Sequence, residues 1–187
     1  MVSGRQSEER FQRLYQANVR QVYGYFLRRT DAEAAQDLTA DTFLVAWRRL
    51  TVVPDGDRTL PWLYGVARRV LANHQRSAAR ARRLFSKVGW LRSETPPTPE
   101  VLVVRRREDL DVIDALGRLR PDDQELLRLT VWEELPYDQV GGLLGCSAHA
   151  VAQRRYRAVS HLARELDTTG HKQVTSATQH TAKGEAK

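Results

Sequence analysis

Asp138-Gln139-Val140-Gly141-Gly142-Leu143-Leu144-Gly145-Cys146-Ser147, continued by Ala148-His149-Ala150-Val151-Ala152-Gln153-Arg154-Arg155-Tyr156-Arg157-Ala158, is the stretch that decides the fold. Val140, Leu143 and Leu144 share the inner side of a short helix. Gly145 suits the left-handed exit from it, and Ser147 can cap the next helix. That second helix turns Val151, Ala158, Val159 and Leu162 inward. A short helix, a tight turn with glycine and a longer helix make a helix-turn-helix. The second helix of such a unit lies in the major groove of DNA, so Gln153, Arg154, Tyr156 and Arg157 are expected to face base edges and phosphates. Glutamine pairs with adenine and arginine with guanine. Four arginines and no acidic residue lie between Gln139 and Arg164, which favours this over an ordinary helical hairpin with a solvated basic face.

Upstream, Arg120-Pro121-Asp122-Asp123 breaks and restarts a helix, and Leu126, Leu127, Thr130 and Val131 line the new one. Leu135-Pro136 starts another. Val104, Leu110, Ile113, Leu116 and Leu119 form an inward stripe before the break. Ser93-Glu94-Thr95-Pro96-Pro97-Thr98-Pro99 is the clearest boundary, because closely spaced prolines do not continue a helix. Thr98 can cap, and Pro99 can open, the helix that follows.

The N-terminal half is helical as well. Phe11, Leu14, Tyr15, Val19, Val22, Tyr23, Phe26 and Leu27 recur at three- and four-residue steps, and Thr30-Asp31 ends that helix or opens the next. Ala34, Leu38, Thr42, Val45, Ala46 and Leu50 make a second stripe, widened by Phe43 and Trp47. Pro54-Asp55-Gly56-Asp57 is turn chemistry. A third helix starts at Thr59-Leu60-Pro61 and turns Leu63, Val66, Ala67, Val70 and Leu71 to a core. No alternating run is long enough for a sheet. The fold expected is all-α: two small helical domains joined by a flexible linker, with 1–8 a disordered N-terminus, 9–84 the first domain, 85–98 the linker, 99–166 the second domain and 167–187 a disordered tail.

Charge separates the helices. Arg68 to Arg92 holds eight basic side chains and no acidic one. Arg69, Asn73, Arg76 and Arg80 can share one face that grips a phosphate backbone while Asn73 or nearby aromatics meet bases. A solvated amphipathic helix followed by a basic linker explains this stretch equally well. Thr30 to Trp47 is the opposite, with Asp31, Glu33, Asp37 and Asp41 and no basic residue. Taken alone, it is most simply a solvated helix with acids near its N-terminus, where the dipole favours them.

With 187 residues, a net charge of +7 and a pI near 10.0, the chain is long enough for one or two domains and suited to an acidic partner. It has no apolar stretch long enough to span a bilayer and no signal-peptide pattern, so a cytoplasmic protein without membrane insertion is expected. A single cysteine, Cys146, excludes an internal disulfide framework. An enzyme is disfavoured. There is no glycine loop for phosphates. Cys146 and His149 lack the further ligands of a zinc site, so neither a metal nor a cofactor is expected.

In order, the segments resemble a bacterial RNA polymerase sigma factor of the extracytoplasmic-function group. Asp37-Leu38-Thr39-Ala40-Asp41-Thr42-Phe43-Leu44-Val45-Ala46-Trp47, then a loop, then Trp62-Leu63-Tyr64-Gly65-Val66-Ala67, then the proline-rich boundary and Leu135-Pro136-Tyr137 through Ala158 carry the resemblance. It covers roughly Glu9 to Leu166. It implies sigma domains two and four, a protein that binds core RNA polymerase, brings it to promoters and helps open the DNA. Asp37, Leu38, Asp41, Phe43 and Trp47 would dock on the polymerase clamp helices. Asp55, Arg58, Trp62, Arg69, Asn73, Arg76 and Arg80 would read and hold the separated −10 strand, with a flipped base captured in a loop. Gln153, Arg154, Tyr156 and Arg157 would read the −35 duplex, while domain four rests on the polymerase flap. Many members are held inactive by an anti-sigma factor, a further class of partner.

The chain departs from the family pattern in places. Gln139-Val140-Gly141 stands where an acid, Ile and Ala are common, and Gly141 is expected to weaken its helix by up to about 1 kcal/mol relative to alanine. His149-Ala150-Val151 replaces Gly-Thr-Val, and Ala152 a basic residue. Arg155 replaces an apolar residue and is expected to be exposed. Thr59 and Leu60 stand where aromatics are common, and Ala40 replaces a glutamine. The alternative function is a helix-turn-helix regulator that acts without being a polymerase subunit.

Overall fold

The computed structural model describes residues 2–87 and 107–182, with side chains described over 4–83 and 112–166. The helices are α1 (Val2–Leu27), α2 (Ala32–Arg48), α3 (Thr59–Lys87), α4 (Arg107–Arg118), α5 (Pro121–Leu127), α6 (Tyr137–Leu144) and α7 (Ala148–Ala182). Among the described residues there is no strand. The chain falls into two compact units, Met1–Leu102 and Val103–Lys187. The boundary Ser93–Pro99, with the proposed Thr98 cap, lies outside the described residues, as does most of the expected linker.

The first unit packs α1, α2 and α3 against one another. Asp31 sits between α1 and α2 in an extended conformation, and its carboxylate accepts from Ala34 N at 2.8 Å. An N-cap of this kind satisfies an otherwise orphaned donor. Leu14, Val22, Tyr25 and Phe26 of α1 meet Ala35, Leu38, Phe43 and Ala46 of α2 and Leu63, Tyr64, Val66, Ala67 and Leu71 of α3 in the core. Tyr25, absent from the periodic stripe read in the sequence, is fully buried. It stacks on Tyr64 with centroids 5.3 Å apart, while the Arg29 guanidinium lies 3.6 Å from its ring centroid. Three polar side chains share this core without being orphaned. Asn18 donates to Leu14 O, Thr39 to Ala35 O and Thr42 to Leu38 O, each at 2.7–2.8 Å.

In the second unit α7 packs on α4, α5 and α6. Ala115, Leu116, Leu119, Leu126, Leu127, Leu129, Leu135, Val140, Val151 and Ala158 are buried. Pro121 opens α5 at its first turn, where its missing N–H costs nothing. A π-turn, Arg128–Trp132, then widens the chain, with Glu133 N bonding back to Arg128 O at 3.1 Å. The widened turn changes which side chains face the core. Leu129 is buried, and Val131, expected inward, is 50% exposed.

At both ends the helices run further than the sequence reading allowed. α1 begins at Val2, inside the stretch expected to be disordered, and α7 continues to Ala182, past residue 166. Each added residue of an existing helix gains a backbone hydrogen bond without a new nucleus, so polar flanks can extend it.

Candidate nucleic-acid interface

The helix-turn-helix forms as its residues predict. α6 ends at Gly145, whose φ of 69° and ψ of 36° are left-handed. Ser147 Oγ accepts from Ala150 N at 3.2 Å, capping α7. Val140 and Val151 are fully buried across the turn. Gly141 is the hinge of the motif rather than a weak point in α6. Its carbonyl accepts from Cys146 N at 2.9 Å, and a Cβ placed on it would stand 2.5 Å from Cys146 O. The turn folds back so closely that no side chain fits there.

On α7, Gln153, Tyr156 and Arg157 are exposed, Tyr156 at 76%. Arg154 leans back on α5. It donates to Asp122 O at 3.5 Å and lies 3.8 Å from Asp123, which also pairs with Arg120 at 2.9 Å. Val159, expected inward, is 42% exposed, and Arg155, expected exposed, is half-buried. His149 is a residue that sequence reasoning passed over as a contact. It is exposed on the first turn of α7, with its Nε2 2.9 Å from Gln153 Nε2. The four-residue spacing was the available signal.

In the first unit, Arg69, Asn73, Arg76 and Arg80 are all exposed on α3, and Arg76 donates to Asn73 Oδ1. Trp62 is half-buried at the start of the same helix. The loop before it holds two 3-10 turns, Leu50–Val52 and Gly56–Arg58, and Thr59 Oγ1 closes it onto Pro54 O at 2.7 Å. Arg58 and Asp55 are exposed, and Asp55 pairs with Arg10 of α1 at 2.8 Å. No signal in the sequence marks Arg10, because its partners lie 40 residues or more away.

Asp37 and Asp41 are exposed on α2, and Trp47 is 42% exposed. Leu38 is different: at 3% exposure it packs in the core and does not line the groove beside it. Phe43 is equally buried but forms the floor of a groove of about 740 Å3 between α1 and α2. Phe11, Tyr15, Leu44 and Trp47 line this groove. Phe11 meets Trp47 edge-on at 5.1 Å and Tyr15 meets Phe43 at 4.8 Å. Leu44, 44% exposed, belongs to this surface although the sequence reading did not choose it.

Two family models match the chain in order, sigma-70 region 2 over residues 14–81 and sigma-70 region 4 over 109–162. The extracytoplasmic-function sigma factor BldN of Streptomyces coelicolor is 32% identical over 158 residues, 83% of this chain and 60% of that protein. The chain therefore spans less than two thirds of that relative. Sigma factor CarQ of Myxococcus xanthus is 29% identical over 167 residues, 86% of this chain and 90% of that protein. The sigma factor RpoE of Bartonella quintana, solved with the anti-sigma factor NepR, shares the fold with a TM-score of 0.65 at 20% identity, covering 84% of this chain and 96% of that one. A basic α3 face and a capped helix-turn-helix stand in the two segments that these models match, and the chain belongs to the sigma-70 family, in its extracytoplasmic-function group.

Proposed function

We propose that this protein binds core RNA polymerase, directs it to promoters with −10 and −35 elements and helps to open the DNA. The observation that carries the reading is the division of the first unit. One surface, on α2, presents Asp37, Asp41 and the aromatic groove, while α3 presents a basic face of Arg69, Arg76 and Arg80. The acidic and aromatic surface suits the polymerase clamp helices, and the basic face suits a DNA backbone. Residues 9–84 then act as domain two and 99–166 as domain four, joined by the 85–98 linker and flanked by the 1–8 and 167–187 tails. The protein acts as a regulatory subunit rather than a catalyst.

At the −35 duplex, α7 lies in the major groove. Gln153 has an amide for adenine, while Arg157 has a guanidinium for guanine or a phosphate. Tyr156 adds a hydroxyl donor to the backbone. Arg154 stays on Asp122 and Asp123 or exchanges them for a phosphate. At the −10 element, Asp55, Arg58 and Trp62 surround the captured base and the α3 arginines hold the strand. An extruded base no longer stacks in the duplex, so its capture stabilises melted DNA. The flap receives domain four, and an anti-sigma factor is a further partner in this reading.

Run-off transcription with core polymerase and genomic fragments tests the proposal. Transcripts from specific promoters that depend on both partners are expected. Stable polymerase binding with no promoter-specific transcript across a broad library would overturn it. A helix-turn-helix regulator would instead bind a palindromic site by itself.

A further inference from the structure

We propose that Arg10 is a positioning residue for −10 recognition: from α1 it sets the shape of the Leu50–Arg58 loop. Its guanidinium donates from Nη1 to Leu50 O at 2.6 Å and from Nη2 to Val53 O at 2.9 Å and Asp55 Oδ1 at 2.8 Å. The three acceptors belong to successive parts of one loop. Leu50 opens the first 3-10 turn, Val53 closes it, and Asp55 precedes the second. A guanidinium is a planar, rigid set of donors, so acceptors that satisfy it together hold a defined relation to one another.

Val53 is buried and anchors the middle of the loop, Thr59 Oγ1 closes it onto Pro54 O, Val52 is 63% exposed, and Gly56 bends the chain with a φ of 68°. A tie from outside would hold its first turn and Asp55 in register. Arg10 is suited to supply that tie. Its side chain is two-thirds buried, at 32% exposure, whereas Asp55 is at 89%. The charge is therefore held at a fixed place on α1 while the carboxylate reaches it from an open loop. Bonds from a charged donor are shorter and stronger than neutral ones. Arg10 touches no DNA in this scheme. It fixes where Asp55 and Arg58 stand when a base arrives.

The inference rests on the −10 role given to the loop under Proposed function, and its test separates the two. Full-length protein with core polymerase is given a mixture of promoters that vary in the −10 element, and a second mixture that varies in the −35 element. The ratio of transcript from the best to the poorest element is read for wild type, Arg10→Gln, Arg10→Lys and Arg58→Ala. Arg10→Gln is expected to compress the −10 ratio about fivefold and to leave the −35 ratio unchanged. Arg10→Lys, a point charge without the fork, falls between. A ratio within one holoenzyme does not depend on how tightly polymerase is bound, so damage to docking does not imitate the result.

An unchanged −10 ratio in Arg10→Gln, with a compressed one in Arg58→Ala, overturns the positioning role and leaves the loop assignment standing. An unchanged ratio in both overturns the loop assignment and the positioning role with it. Equal compression of the −10 and −35 ratios marks general damage and also overturns the role. Where Arg10→Gln does not fold, the Arg10→Lys ratio decides the matter by the same criteria.

Discussion

Replacing Gly141 by alanine would restore the residue common in the family and would be expected, from helix propensity, to stabilise α6 by about 0.5–1 kcal/mol. The structure predicts the opposite. The new Cβ would stand 2.5 Å from Cys146 O and 3.4 Å from Ala148 N and Ser147 C. All three atoms are backbone, so no side chain can swing away. The carbonyl belongs to the residue whose N–H bonds Gly141 O at 2.9 Å, so opening the contact stretches that bond as well. Forcing carbon into packed space costs about 1–3 kcal/mol. Weakening the turn bond adds about 1 kcal/mol. Set against the propensity gain, the net is a loss of about 1–3 kcal/mol. For a unit of this size that lowers the melting temperature by about 4–8 °C for each kcal/mol.

Gly142 is the internal control, since a Cβ there meets nothing within 4 Å. Gly142→Ala should stabilise by about 0.5–1 kcal/mol through propensity alone. Thermal unfolding of the full chain, followed by circular dichroism, compares the two. A Gly141→Ala protein that melts as high as Gly142→Ala would refute the reasoning, for it would show that the turn yields freely.

Ser147→Ala should remove the cap on α7 and cost about 1 kcal/mol, seen in the same unfolding experiment; no change would mean that the 3.2 Å bond contributes nothing. Leu38→Ala should cost about 2–5 kcal/mol as a core truncation; loss of polymerase affinity at unchanged stability would return Leu38 to the docking surface. Asp41→Lys reverses a charge on the exposed side of α2 and should weaken polymerase binding most at low salt; normal affinity there would remove the clamp assignment. Arg157→Ala should reduce use of the −35 element, by about 1–3 kcal/mol of discrimination if it reads a base; equal activity on every −35 variant would contradict the contact.

The local chemistry of the turns was legible in the chain. Asp31 caps α2, Pro121 opens α5, Gly145 leaves α6 left-handed and Ser147 caps α7, each because one residue type satisfies a need set by its immediate neighbours. Charge segregation was legible for the same reason: acids fall along α2 and arginines along α3, and Asp37, Asp41, Arg69, Arg76 and Arg80 are exposed. Periodicity was less reliable at the edges of each stripe. Tyr15 and Trp47 look apolar but border an open groove, and Tyr25 looks amphipathic but is fully buried. A repeat of three and four residues gives the direction of a face and not its width, which depends on the neighbouring helix.

Sequence alone determined that this protein is helical, that its internal helix ends fall at Asp31, Pro121, Gly145 and Ser147, and that one helix is acidic and two are basic. These are short-range properties, fixed within a turn or two of chain. Tertiary structure decided the rest. It made Gly141 indispensable through a carbonyl five residues on, turned Val131 outward through a π-turn, drew Arg154 back to Asp123, and placed Arg10 against a loop 40 or more residues away. Each of these depends on which atoms meet after the chain has folded back, and distance in space is not written in distance along the chain.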